Sequence, residues 1–197
     1  MPSDAASPEA SLRKRRPSTT AETIASAAKH VEEKVEAALL LLWDELPSWR
    51  RDNAFIVRGY RQTSNSYWGS VGSLWYLHNE FVNIWTHLLG ALGFTVGGFF
   101  LHFVIAPRYE SASDSDVLVF ACFFLGAFLC LGMSATYHTL CNHSPEVAKW
   151  GNKLDYTGIV FLIVGSYVPA LYYGLFCHPF LMAVYLATVS RLLPAVL

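Results

Sequence analysis

The sequence predicts an all-α, multi-pass membrane protein, a helical bundle with three full spans and a partial fourth. Composition is the first observation: 53% of the 197 residues are hydrophobic and only 15% are charged, against about 25% charged in an average soluble domain. The second is asymmetry. Ten of the 14 Lys and Arg residues and nine of the 15 acids lie in residues 1–61, leaving four basic and six acidic residues for the other 136 positions. The third is a set of long apolar runs in that second part. Each approaches the roughly 20 residues a helix needs to cross a bilayer, and only helices or closed barrels satisfy their own backbone there.

Residues 1–19 read as a disordered cytoplasmic tail, with prolines at 2, 8 and 17 and the basic run Arg13-Lys14-Arg15-Arg16. The run suits a topology determinant or a basic context for phosphorylation of Ser18 better than a nuclear signal. No apolar h-region marks a secretory signal peptide in the first 20 residues. Residues 20–46 read as an amphipathic helix. Thr19 and Glu22 fit a capping box. Ile24, Ala28, Val31, Val35, Ala38, Leu42 and Leu46 recur at three and four, and Pro47 closes the pattern. The rest of region 20–77 reads as a juxtamembrane segment. Its Trp, Tyr and Arg residues favour the membrane interface.

The transmembrane bundle is expected over 78–197, with spans at about 82–106, 117–137 and 156–177 and a partial one at 180–197. Gly93 and Gly97 form a GxxxG pair whose natural use is helix packing, and Pro169 predicts a kink. Arg191 and Pro194 sit badly in a fourth span. Basic-residue bias sets the topology. The N-terminal part is basic. Loop 107–116 has one basic residue and three acids, and loop 138–155 has Lys149 and Lys153. This places the N-terminus in the cytoplasm, the first loop outside and the second inside. A net charge of −1 gives no sign of a nucleic-acid partner. The scattered Cys122, Cys130, Cys141 and Cys177 read as small hydrophobes rather than a disulfide or metal set.

That topology gathers polar groups at one end of the bundle. Glu80, Asn83 and His87 share a helical face at i, i+3 and i+7. Ser134 and His138 stand at i and i+4, and Asp155 opens the third span. Imidazole is the commonest metal ligand, and a catalytic zinc needs three protein ligands and an open position. His138 is therefore a candidate metal ligand, and Asp155 a candidate partner of the metal or its water. Blander roles stand beside these: His138 as an interfacial histidine, Asp155 as a helix cap, Glu80 and His87 as a structural polar network. His78, His102, His143 and His178 read as interface or loop residues.

Three stretches carry a family resemblance: HNEFVNIWTHLLG at 78–90, SATYHTLCNHS at 134–144 and KLDYTGI at 153–159. They resemble the motifs of the progestin and adipoQ receptors, a family that includes adiponectin receptors and haemolysin-III-related proteins. NHSPEVAKWGNKLDY is similar to fungal members linked to zinc homeostasis and sterol metabolism, and GSYVPALYYGLFCHP resembles the family's third helix. The likeness covers about residues 46–189. It implies the N-terminal part of a seven-helix fold with a cytoplasmic N-terminus and a zinc ion near the cytoplasmic side. The S-x-x-x-H histidine maps to His138 and the motif serine to Ser134. The aspartate near the zinc-bound water maps to Asp155. Two further ligand histidines come from a seventh helix that this chain lacks.

The expected function is thus a receptor-like integral membrane protein of the plasma membrane or endoplasmic reticulum, acting in lipid and zinc homeostasis. Its expected partners are the bilayer, a lipid or a sterol- or ceramide-like ligand, and either another copy or a full-length homologue. The resemblance also implies an alternative, zinc-dependent hydrolysis of a ceramide-type amide, with Asp155 and Ser134 as catalytic residues. A truncated, non-catalytic membrane fragment is the third reading, since the sequence departs from the family after Ser190 and the zinc site is then incomplete. No span has the polar stripe of a water-filled pore.

Overall fold

Helices dominate the computed structural model, which describes residues 20–110 and 113–196. The basic run at 13–16, Ser18 and the Thr19 half of the expected capping box lie outside the described residues.

The first unit contains helix α1, Thr20–Leu39, whose apolar residues Ile24 and Val31 are exposed. It is shorter than the expected 20–46. The reason is a competing backbone pairing. Leu40–Leu42 forms strand β1, antiparallel to β2 at Arg58–Arg61, with Leu41 opposite Tyr60 and an irregularity between Leu41 and Leu42. Leu42 and Leu46 therefore leave the helical stripe, and Leu46 is buried in the second unit. That unit begins at Leu40 and includes both the segment before the spans and the spans themselves.

After β2 the chain makes a short helix, α2 (Tyr67–Gly72), capped by the Ser66 hydroxyl, which accepts from the Gly69 N–H. Helix α3 (Phe81–Phe100) runs on through a π-turn at Leu101–Ile105 to Arg108. Helix α4 is Asp114–Leu140, opened by a Ser113–Asp116 capping box. Helix α5 is Pro145–Gly174, with Ser144 as N-cap, Pro at its first position and an unbroken course through Pro169. Helix α6 is Pro179–Val196. Among the described residues, α3 with its extension, α4 and α5 are the three helices long and apolar enough to cross a bilayer. Leu88, Leu92, Val96 and Phe99 on α3 are exposed, as are Leu118, Leu125 and Phe128 on α4. Such a surface needs a nonpolar surrounding.

The stretch between His138 and Asp155 is mainly helix, not loop. Residues 141–144 alone separate α4 from α5, so Asp155 lies inside α5 and does not cap its start. Pro145 explains the earlier start, because it presets φ and lacks only a donor that the first turn cannot use. The short connection is held from outside the helices. The Ser64 N–H donates to the Asn142 carbonyl at 3.0 Å and the Asn65 N–H to the His143 carbonyl at 3.1 Å. The Asn142 amide donates to the Gln62 carbonyl at 2.9 Å.

Helices α4 and α5 make the most intimate contact, through glycines other than the GxxxG pair. A Cβ on Gly165 would stand 2.5 Å from the Cys122 carbonyl oxygen, one on Gly126 2.7 Å from that of Phe161, and one on Gly158 2.9 Å from Cys130 Cα. Gly151, Gly158 and Gly165 are spaced by seven, so they line one side of α5. By contrast a Cβ on Gly93 would meet nothing within 4 Å, and one on Gly97 would meet only the Phe124 ring.

Candidate functional site

The polar cluster forms where α3 begins, α4 ends and α5 begins. Its geometry is built from the helix ends. The α3 N-terminus would leave backbone donors unpaired. His78 takes one of them, its Nδ1 accepting from the Glu80 N–H at 3.1 Å. His78 is buried between Tyr76 and Phe81. Burial, with the Arg61 charge adding to it, pushes its pKa down to about 4. It is a neutral, structural histidine in the loop before α3, where a loop residue was expected.

Glu80 is the hub. One carboxylate oxygen, Oε1, accepts from the Asn79 amide at 2.7 Å; the other, Oε2, accepts from the Asn83 amide at 2.8 Å. Oε2 also lies 2.7 Å from His138 Nδ1, joining residues 58 positions apart in sequence. Burial alone would raise the Glu80 pKa. Hydrogen bonds from His138 and Asn83, helped by the His138 and Arg61 charges, outweigh it and hold the carboxyl below its usual range. An ionised Glu80 is an acceptor only, so the His138 proton resides on Nδ1. In the neutral ring the remaining nitrogen, Nε2, carries the lone pair. A carboxylate behind an imidazole is the usual second partner of a metal-bound histidine.

Glu80, Asn83 and His138 are thus brought together, and the His87 ring lies edge-on to that of His138 with centroids 6.0 Å apart. His87 Nδ1 is buried and has no hydrogen-bond partner. Ser134, one turn before His138 on α4, is buried. Asp155 is half-buried within electrostatic reach of His87, but among the described residues no hydrogen bond joins it to His138.

A zinc site of catalytic type asks for three protein ligands. His138 fits as one, with Nε2 presented and Glu80 behind the ring. A complete set does not follow, because among the described residues no three His, Cys, Asp or Glu side chains converge as a metal site would require. His143 instead packs its ring on Tyr67, tilted by 35° with centroids 4.3 Å apart. The four cysteines are free thiols.

One residue that holds the cluster is absent from the sequence-based expectation. Arg61 is completely buried. Its guanidinium donates to the carbonyls of His138 at 2.6 Å and Thr139 at 2.9 Å, and to Ser73 Oγ at 2.8 Å. It also reaches Cys141 Sγ at 3.2 Å, a thiol whose pKa burial pushes up. The carbonyls at the end of α4 need donors, which is a signal that some residue must cap it. Nothing in the sequence selects Arg61 over Arg50, Arg51 or Arg58 for the task.

These helix ends fall within a matched family region, since the haemolysin-III-related family model matches residues 75–195. The chain belongs to the haemolysin-III-related family. Curated relatives agree. The chain is 42% identical over 172 residues to an adiponectin receptor protein of Drosophila melanogaster, covering 85% of this chain and 38% of that one. It is 44% identical over 155 residues to the ADIPOR-like receptor IZH2 of Saccharomyces cerevisiae, covering 78% of this chain and 48% of that one. A progestin and adipoQ receptor-like protein 1 of Caenorhabditis elegans is 42% identical over 154 residues, 78% of this chain and 35% of the relative. The chain therefore spans half or less of the length of these haemolysin-III-related relatives. The family fits the helical membrane architecture and the expected kinship with adiponectin-receptor-like and fungal proteins.

Proposed function

We propose that the protein is a receptor-like membrane component of lipid and zinc homeostasis, and that His138 supplies one ligand to a zinc ion. The observation that carries this is the 2.7 Å contact between His138 Nδ1 and Glu80 Oε2, which leaves Nε2 for a metal. The printed names of its relatives, adiponectin receptor and ADIPOR-like receptor, support the receptor-like part. In this reading the N-terminus and the connection at 141–144 face the cytoplasm, as the basic-residue bias implies. Among the described residues no group of three His, Cys, Asp or Glu side chains completes the set. The test is expression of the chain and of His138→Ala in cells, with cellular zinc and the ratio of ceramide to free sphingoid base as readouts. Wild type is expected to shift both and His138→Ala neither. Equal effects of the two chains, or none from either, would refute the reading.

Lipid-amide hydrolysis is a second reading, favoured by Asp155: a half-buried carboxylate on the helix most closely packed against α4, beside His87. Ser134 is the buried hydroxyl one turn from His138. Ceramide turnover by a full-length relative carrying the equivalent Asp155→Asn change separates the two readings. Unchanged turnover sinks the hydrolase.

A further inference from the structure

We propose that Arg61 is a positioning residue for His138, fixing where its ring stands at the end of α4. This rests on the reading of His138 as a metal ligand. It extends that reading to a residue in β2, remote in sequence and outside the membrane-spanning helices.

The effect is mechanical. The last carbonyls of an α-helix have no intrahelical donor, and a frayed end would let the His138 ring wander. Arg61 spans two of them, donating through Nη2 to the His138 carbonyl and through Nη1 to the Thr139 carbonyl. A planar fork fixes direction as well as distance, which a single point charge cannot do. Arg61 is itself held, because Nη1 also bonds Ser73 Oγ, whose hydroxyl donates to the Ser70 carbonyl at 2.7 Å. Further, Arg50 donates to the Arg61 carbonyl. The ring is held separately, with Glu80 Oε2 2.7 Å from His138 Nδ1. Backbone and ring of the same residue are therefore held from two different elements.

The groups facing His138 support this division of labour. Glu80 from α3 takes the ring, Arg61 from β2 takes the carbonyl, and Cys141 Sγ is shared between Arg61 and the His138 carbonyl at 3.4 Å. No other described cation donates to the end of α4.

The experiment uses the full chain in lipid nanodiscs, labelled with ring-¹⁵N histidine, with the His138 signals assigned by their loss in His138→Gln. Wild type is expected to show sharp His138 signals from a ring held in one position. Arg61→Gln, which can still donate to one carbonyl, is expected to broaden them. Zn²⁺ added alone is expected to bind His138 about 10–100-fold more weakly in that variant, the range for losing a partner behind a metal-bound histidine. Should Arg61→Gln fail to fold, Arg61→Lys is read instead. It keeps the charge but not the fork, so the signals should still broaden.

A merely structural Arg61 would lower the unfolding temperature and leave the His138 signals as in wild type. That result in a folded variant overturns the proposal. Zn²⁺ that leaves the wild-type His138 signals unmoved would refute the metal-ligand reading itself, while the linewidth comparison still decides the role of Arg61.

Discussion

His78, Glu80, Arg61 and His138 show how a few ionisable residues are settled by what surrounds them. His78 gives a pH prediction. Its pKa is about 4 in the fold, against an ordinary 6.5. Between these values the unfolded chain binds more protons, so stability rises with pH across that window. The contribution is full above about pH 6.5 and lost as pH falls toward about 4. Unfolding in micelles from pH 7.5 to 4.5 should show that decline, and His78→Gln should flatten it. Arg61 gives a stability prediction. Arg61→Ala strips donors from two backbone carbonyls and a buried hydroxyl. Unsatisfied buried groups cost about 1–3 kcal/mol each, so a loss on the order of 3 kcal/mol is expected in denaturant titrations. At this scale the sequence was informative about the ring of polar side chains, because i, i+3, i+4 and i+7 spacing identifies a shared face. It could not reveal Arg61, since the contact to α4 crosses 77 residues and depends on how β2 folds back.

The elements divide in the same way. The three long apolar runs announced α3, α4 and α5, because hydrophobicity over membrane length has few other uses. Boundaries shifted where a local competitor acted. Pro145 and the Ser144 cap started α5 early, and the β1–β2 ladder ended α1 at Leu39. Glycine roles were the least legible. GxxxG in α3 is a motif, whereas the close approach of α4 and α5 depends on glycines seven apart whose partners lie on another helix. Substitution tests this contrast. Gly165→Ala places a Cβ against the Cys122 carbonyl and should lower stability by about 1–3 kcal/mol. Gly93→Ala meets open space and should be neutral or stabilising by up to about 1 kcal/mol, from helix propensity. Thermal unfolding of the two variants in the same detergent reads the difference.

The whole molecule is a membrane protein of the haemolysin-III-related family, with its polar cluster at one end of the bundle. The other end holds an apolar cavity of about 900 Å³ between α3 and α4, bordered by His102, Asp116 and Tyr173. Asp116 and Tyr173 join across its lip at 2.6 Å. The two ends should therefore face opposite sides of the membrane. In a Cys177→Ser background, an impermeant maleimide should label Glu110→Cys on intact cells and Glu146→Cys only after permeabilisation. Both positions are exposed. The reverse pattern would invert the proposed orientation.

Cobalt(II) titration of the reconstituted chain tests the central claim most directly, because its visible bands report nitrogen ligation at the metal. The expected result is binding that disappears in His138→Ala and weakens about 10–100-fold in Glu80→Gln, which removes the carboxylate behind the ring. Identical spectra and affinities in wild type and His138→Ala would contradict it.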